Sequence, residues 1–321
     1  MKAKAIISLS LCFALAFAFC GCLKPRKKGV PQSDTTAPAT TAATTKPTTT
    51  KPVVTTSKPV TEPKNDDSEY RLDKYSHLSD YEKEVYDTIL SALENGEETI
   101  EISGDEMNEQ IFDKVFYYYL VVDHPEYFYV RPFSEGYSNG DEIVKADFCI
   151  KYIYSAEQIA AKQKKINTIV TALQKKLPKN ATNYDKALLV YDYIIDNCEY
   201  AEEFENADNT AAQQSPVSTI EGCLLDKRAV CTGYSRAYKF ILNKMGIKCS
   251  VVSNPKHEWN ILMLDDEYYY TDVTWSDTPQ TRYKYFAVTT KQITEDHDLP
   301  EEELPDCTAT KNNYNVKNGL T

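Results

Sequence analysis

The sequence predicts an α+β fold for the stretch from about Ser68 to Thr321, and three observations carry that expectation. The first is "CTGYSRAYKFILNKMG", where Tyr234, Ala237, Tyr238, Ile241, Leu242 and Met245 recur at helical spacing. The second is "HEWNILMLDDEYYYTDVTWSD", which alternates like two strands folded about Asp265-Asp266. The third is a series of amphipathic stretches upstream, with capping signals at their ends.

In chain order, "MKAKAIISLSLCFALAFAFCGC" has two lysines, an apolar run, then small residues and a cysteine. That is the plan of a secretory signal peptide over residues 1–21. Cleavage before Cys22, with Gly21 just upstream, resembles the bacterial lipoprotein pattern and makes Cys22 the expected lipidation site. The apolar run is short for a membrane span. Residues 22–67 are dominated by Thr, Pro, Ala and Lys. They lack the apolar side chains that would offset ordering entropy, so they read as a disordered stalk. In extended form it would reach on the order of 100 Å. The basic run Lys24, Arg26, Lys27 and Lys28 suits an anionic membrane surface beside the lipid. The chain's net charge is −12. Because leader and stalk are basic, the remaining body is more acidic still, which makes nucleic acid an unsuitable partner.

The body opens with "SDYEKEVYDTILSALENG": Ser79 and Glu82 form a capping box, Val85, Ile89 and Leu93 mark one face, and Asn95-Gly96 end the helix. A second helix is expected from Glu106 to Val122, then strands at "PEYFYV" and "EIVKADFCIKYIY". Residues 68–155 thus read as an accessory α/β module. Residues 156–300 form the main domain and 301–321 a tail. Ser155 with Gln158 starts the next helix, Pro178 lies past its end, and Thr182 caps the one after.

Cys231 falls at the start of its helix, where unpaired N–H groups and the positive end of the dipole favour a thiolate. A two-residue turn at Asp265-Asp266 pairs Leu264 with Glu267 and sets Trp259 opposite Asp272. His257, Trp259, Asp272 and Thr274 then share one face, with His257 and Asp272 as diagonal neighbours. A carboxylate so placed can orient an imidazole that takes the Cys231 proton and later hands it to a leaving group.

These segments resemble the bacterial transglutaminase-like superfamily, with a Cys in a VCxGYA-type helix start, a His opening a HAWN-type strand and an Asp in a VDxTW-type strand. The resemblance spans about Ala187 to Thr290 and places Cys231, His257 and Asp272 at the catalytic positions. It implies a papain-like core, a Cys-bearing helix packed on an antiparallel sheet. The chain departs from the pattern at Glu258 and Ser235, where Ala is usual, and at Asp266 and Tyr268. Alternation turns Glu258 away from His257, so its substitution is expected to be tolerated. Gln213 or Gln214, in the loop before the cysteine, is the candidate oxyanion donor; otherwise the Cys231 backbone N–H serves.

The expected activity is thiol acyl transfer on amide bonds of peptides or proteins, by hydrolysis or transamidation, without cofactor or metal. Cell-wall or extracellular peptides are the natural targets for a surface lipoprotein. The alternative is an inactive transglutaminase-like module that binds such ligands, with its many tyrosines available for stacking. A Cys-His-His endopeptidase fits less well, because the next histidine, His297, lies in an acidic, loop-like stretch, and His77, His124 and His297 match no motif. Cys149, Cys198, Cys223, Cys249 and Cys307 are irregularly spaced and read as no disulfide framework.

Overall fold

In the computed structural model, residues 72, 74–97, 99–100, 109–139, 142–204, 212, 215–302 and 304–320 are described. The leader, the stalk, Cys22, Gln213 and Gln214 lie outside them.

Helix α1 (Asp80–Asn95) begins where its capping box predicts: Ser79 accepts from the Glu82 N–H, and the Glu82 side chain accepts from the Ser79 N–H. Its face of Val85, Ile89 and Leu93 is buried. The next helical stretch runs through α2 (Glu109–Asp113), a wide π-type turn (Lys114–Leu120) and α3 (Val121–Asp123). The strand expected at "PEYFYV" is not one. Pro125–Tyr127 is a 3-10 turn with proline at its start, and the strand begins at Val130. Proline's fixed φ suits a first helical turn and supplies no N–H to a ladder. The short β1 (Thr99–Ile100), β2 (Val130–Asn139) and β3 (Glu142–Tyr152) make an antiparallel sheet in the order β1-β3-β2.

Two long helices follow, α4 (Ala156–Lys176), started by the expected Ser155–Gln158 box, and α5 (Asn183–Asn197), capped by Thr182 as expected, with Asp185 completing a box there. Strands β4 (Glu199–Tyr200) and β5 (Arg228–Ala229) pair in parallel and deliver the chain to α6 (Cys231–Lys244). Gly246 then turns the chain with φ 81°. Strands β6 (Cys249–Ser253), β7 (Glu258–Leu264) and β8 (Glu267–Thr271) form an antiparallel sheet in that order. Leu264 pairs with Glu267, and Asp265 and Asp266 have φ of 53° and 65°, the mark of a tight I′ hairpin turn.

Helix α6 packs against β6 and β7 on one side and α5 on another. Its face of Tyr234, Ala237, Tyr238, Ile241 and Leu242 is wholly buried. Asn260 of β7 ties helix to sheet, its amide donating to the Ser235 carbonyl at 2.9 Å and the Ser250 carbonyl at 3.1 Å. The principal core runs from Leu78 and α1 through α4, α5 and α6 to Phe286 and Ala287. Lys239 of α6 also reaches Asp123 of α3, donating to its carbonyl at 3.2 Å. No helix among the described residues is long and apolar enough to cross a membrane.

Candidate active site

Cys231 is the first residue of α6, after Val230 in an extended conformation. Gly233 makes that start close-packed: a Cβ there would stand 2.4 Å from the Val217 carbonyl oxygen and 2.7 Å from the Ala229 Cβ. The Val230 N–H donates to the same Val217 carbonyl at 3.0 Å, which pins the turn that aims the cysteine. Cys231 is half-buried, whereas Cys198, Cys223, Cys249 and Cys307 are buried; all five are free thiols.

His257 precedes β7 in a short loop. Its N–H donates to the Asn254 side chain at 2.9 Å, and the Asn254 N–H donates back to the His257 carbonyl at 3.0 Å. Asp272 lies just past β8, where its N–H leaves the ladder for the Tyr285 carbonyl at 3.0 Å. The diagonal relation is realised as contact: His257 Nε2 donates to Asp272 Oδ2 at 2.6 Å. Cys231 lies close enough to His257 to favour the protonated ring as well. With Nε2 committed to Asp272, Nδ1 is the ring nitrogen left for proton exchange with a nucleophile.

The electrostatics of the pair follow from this packing. Burial works against protonation of His257, but the charge and hydrogen bond of Asp272, and then Cys231, outweigh it and push its pKa up to about 10. Burial likewise opposes ionisation of Asp272, which is fully enclosed; His257, His297 and the Trp275 N–H overcome that and hold it down to about 2. At neutral pH the pair is an imidazolium on a carboxylate. Two indoles flank the ring, Trp259 at 5.7 Å and Trp275 at 5.0 Å between centroids, both near parallel. Trp275 is 38% exposed and forms the outer face of the site.

Two of the departures from the family pattern, Ser235 and Glu258, meet each other. The Ser235 hydroxyl donates to Glu258 Oε1, and Arg236 adds two bonds of 3.2 Å to the same carboxylate. Glu258 points away from His257, as alternation requires, and is tolerated because α6 supplies a hydroxyl and a guanidinium for it.

His297 is the residue that sequence reasoning missed. It is buried, and its Nε2 lies 2.9 Å from the Asp272 oxygen that His257 uses. Its acidic neighbourhood suggested a tail; Asp296 is instead its second partner, 2.8 Å from Nδ1. Donor atoms of His257, Asp272 and His297 all lie within 4.8 Å of one another, the closest approach to a cation-binding set among the described residues. Their N···O separations of 2.6 and 2.9 Å are hydrogen-bond lengths. Ligand atoms around tetrahedral zinc stand about 3.3 Å apart. Gln214, the candidate oxyanion donor, and Gln213 lie outside the described residues; the first N–H groups of α6 stand beside Cys231.

Residues 171–288 match the family model of the transglutaminase-like superfamily. Over these residues the chain is similar to that superfamily, and its helix-on-sheet α+β architecture is the fold class expected from the sequence. Among solved structures, similarity is found to a TGase, with 14% identity and a TM-score of 0.30 over 54% of this chain. A protein provisionally named a cysteine protease, from Cytophaga hutchinsonii, matches at 11% identity and a TM-score of 0.28, covering 57% of this chain and 82% of that one. One provisionally named a protease, from Parabacteroides distasonis, matches at 12% and 0.27, covering 44% and 35%. The chain spans about half the length of the TGase it matches, 49%. Comparison with curated proteins returned no match.

Proposed function

We propose that the protein is a thiol acyl-transfer enzyme acting on amide bonds of peptides or proteins, with Cys231 as nucleophile, His257 as acid and base and Asp272 as orienter. The observation that supports this reading most directly is the 2.6 Å bond from His257 Nε2 to a fully buried Asp272, with Cys231 near enough to favour the protonated ring. Cys231 Sγ, its proton held by His257, attacks the amide carbonyl, and α6 N–H groups stabilise the oxyanion. As the C–N bond breaks, His257 gives its proton to the departing amine and a thioester remains. In hydrolysis, His257 takes a proton from water, hydroxide adds to the thioester, and the acid leaves as the thiolate re-forms. An amine in place of water gives a new amide. The leader, Cys22 and the stalk support deployment at a bacterial cell surface, tethered through lipid, with cell-wall or extracellular peptides as substrates.

The test is site-resolved alkylation. The full chain is treated with iodoacetamide between pH 5 and 9, and each cysteine is read by mass spectrometry in wild type and His257→Ala. Cys231 should react fastest well below pH 8 and lose that advantage without His257. A Cys231 that labels no faster than Cys198 or Cys307, or is indifferent to His257, overturns the assignment.

A further inference from the structure

A second histidine on the carboxylate of a Cys-His-Asp arrangement calls for an explanation of its own. Asp272 has two oxygens and three donors: the Trp275 N–H at 3.0 Å on Oδ1, and His257 and His297 at 2.6 and 2.9 Å on Oδ2. His297 is held by more than packing. Its N–H donates to the Ile293 carbonyl at 3.0 Å. Its Nδ1 meets Asp296, whose other oxygen takes Lys284 Nζ at 2.8 Å and the Tyr285 hydroxyl at 2.7 Å. Both ring nitrogens therefore face carboxylates, and each can donate only if it bears a proton. The ring is boxed by Trp275 at 4.1 Å, Trp259 at 5.1 Å and Tyr285 at 5.3 Å. The same segment reaches the loop of His257 as well. Asn254, which fixes the His257 backbone, donates its side-chain amide to the Asp298 carbonyl at 2.8 Å.

We propose that residues 296–298 act as a clamp on the catalytic pair, with His297 as a positioning residue that locks Asp272 Oδ2 toward His257 while Asp298 holds the His257 loop. This rests on the Cys-His-Asp reading above and deepens it. The physical reason is geometric. A carboxylate bonded only to His257 and one backbone N–H can swing about its Cβ–Cγ bond, and each swing lengthens the 2.6 Å bond. A third donor, anchored from a separate segment, removes that freedom. Partners of this kind behind a functional histidine or carboxylate are worth about 10- to 100-fold when lost.

The experiment compares His297→Phe with His297→Gln in the full chain. Phenylalanine refills the aromatic box without a donor; glutamine loses the ring but carries an amide N–H to about the reach of Nε2. For each variant the melting temperature and the iodoacetamide rate constant of Cys231 at pH 6 are measured. The clamp predicts opposite rankings. Phe should be the more stable variant yet react about 10- to 100-fold slower than wild type. Gln should be the less stable yet stay within about 3-fold of wild type, a small residue of that loss. A merely structural histidine makes reactivity follow stability, and that result, or a wild-type rate in His297→Phe, overturns the proposal. If His297→Phe does not fold, His297→Leu takes its place with the same expectation. Wild type and His257→Ala run alongside. If wild-type Cys231 shows no dependence on His257, the catalytic reading falls and the clamp with it. If that dependence is present and His297→Phe matches wild type, the clamp alone falls.

Discussion

Replacing Asp272 by Asn should collapse the charge state of His257, and the size of the effect can be worked out from the site. The imidazole's pKa is raised from 6.5 to about 10, against the burial that would lower it. Asp272 moves the other way, from 3.8 to about 2. At about 1.4 kcal/mol per pH unit, the Asp272 end values the interaction at roughly 2 kcal/mol and the His257 end at roughly 5. They differ because complete enclosure of Asp272 resists its ionisation more strongly. It is one interaction seen from two ends, so the figures are not added. The sign is fixed on each side. The His257 contribution is complete below pH 6.5 and is lost as pH rises through about 10. The Asp272 contribution is complete above pH 3.8 and is lost as pH falls through about 2. Asparagine is nearly isosteric but uncharged, so it leaves the ring buried without its counter-charge. With ¹³C-labelled histidine, the His257 ring resonance should titrate near pH 10 in wild type and at least about 2 pH units lower in Asp272→Asn. The four histidines give four signals, assigned by His257→Ala. A wild-type His257 that titrates near 6.5, or an Asp272→Asn variant still titrating near 10, would refute the reasoning.

Other expectations follow from the same packing. Gly233→Ala drives a methyl into the Val217 carbonyl, 2.4 Å from the new carbon; unfolding in urea should show a loss of about 1–3 kcal/mol or more, with slower alkylation of Cys231. Glu258→Ala strands Arg236, whose side chain is only 15% exposed, and should cost on the order of 3 kcal/mol in the same measurement, whereas Ser235→Ala, which leaves the ion pair intact, should cost about 1. Burial pushes the thiols of Cys249 and Cys307 up to about 12 and that of Cys223 up as well; mass spectrometry should find all three unlabelled at pH 8 in the native protein and labelled after denaturation.

Local signals settled a large share of this protein in the sequence alone. The starts of α1 and α4 were legible because a capping box is written within four residues, and that of α5 because Thr182 is a capping residue. The helix opening at Cys231 and the register through Asp265-Asp266 were legible because periods of 3.6 and 2 leave a pattern in the chain itself. His257 and Asp272 could therefore be matched by counting. Tertiary structure decided the rest, through contacts that have no period. His297 reaches Asp272 across 25 residues from a segment of no regular pattern. Ser235 and Glu258 answer each other only once α6 lies on β7. Tyrosines at "PEYFYV" suggest a strand, yet Pro125 opens a helical turn first. Periodicity reports which face of an element is buried; the partner that face meets is chosen only when the elements pack.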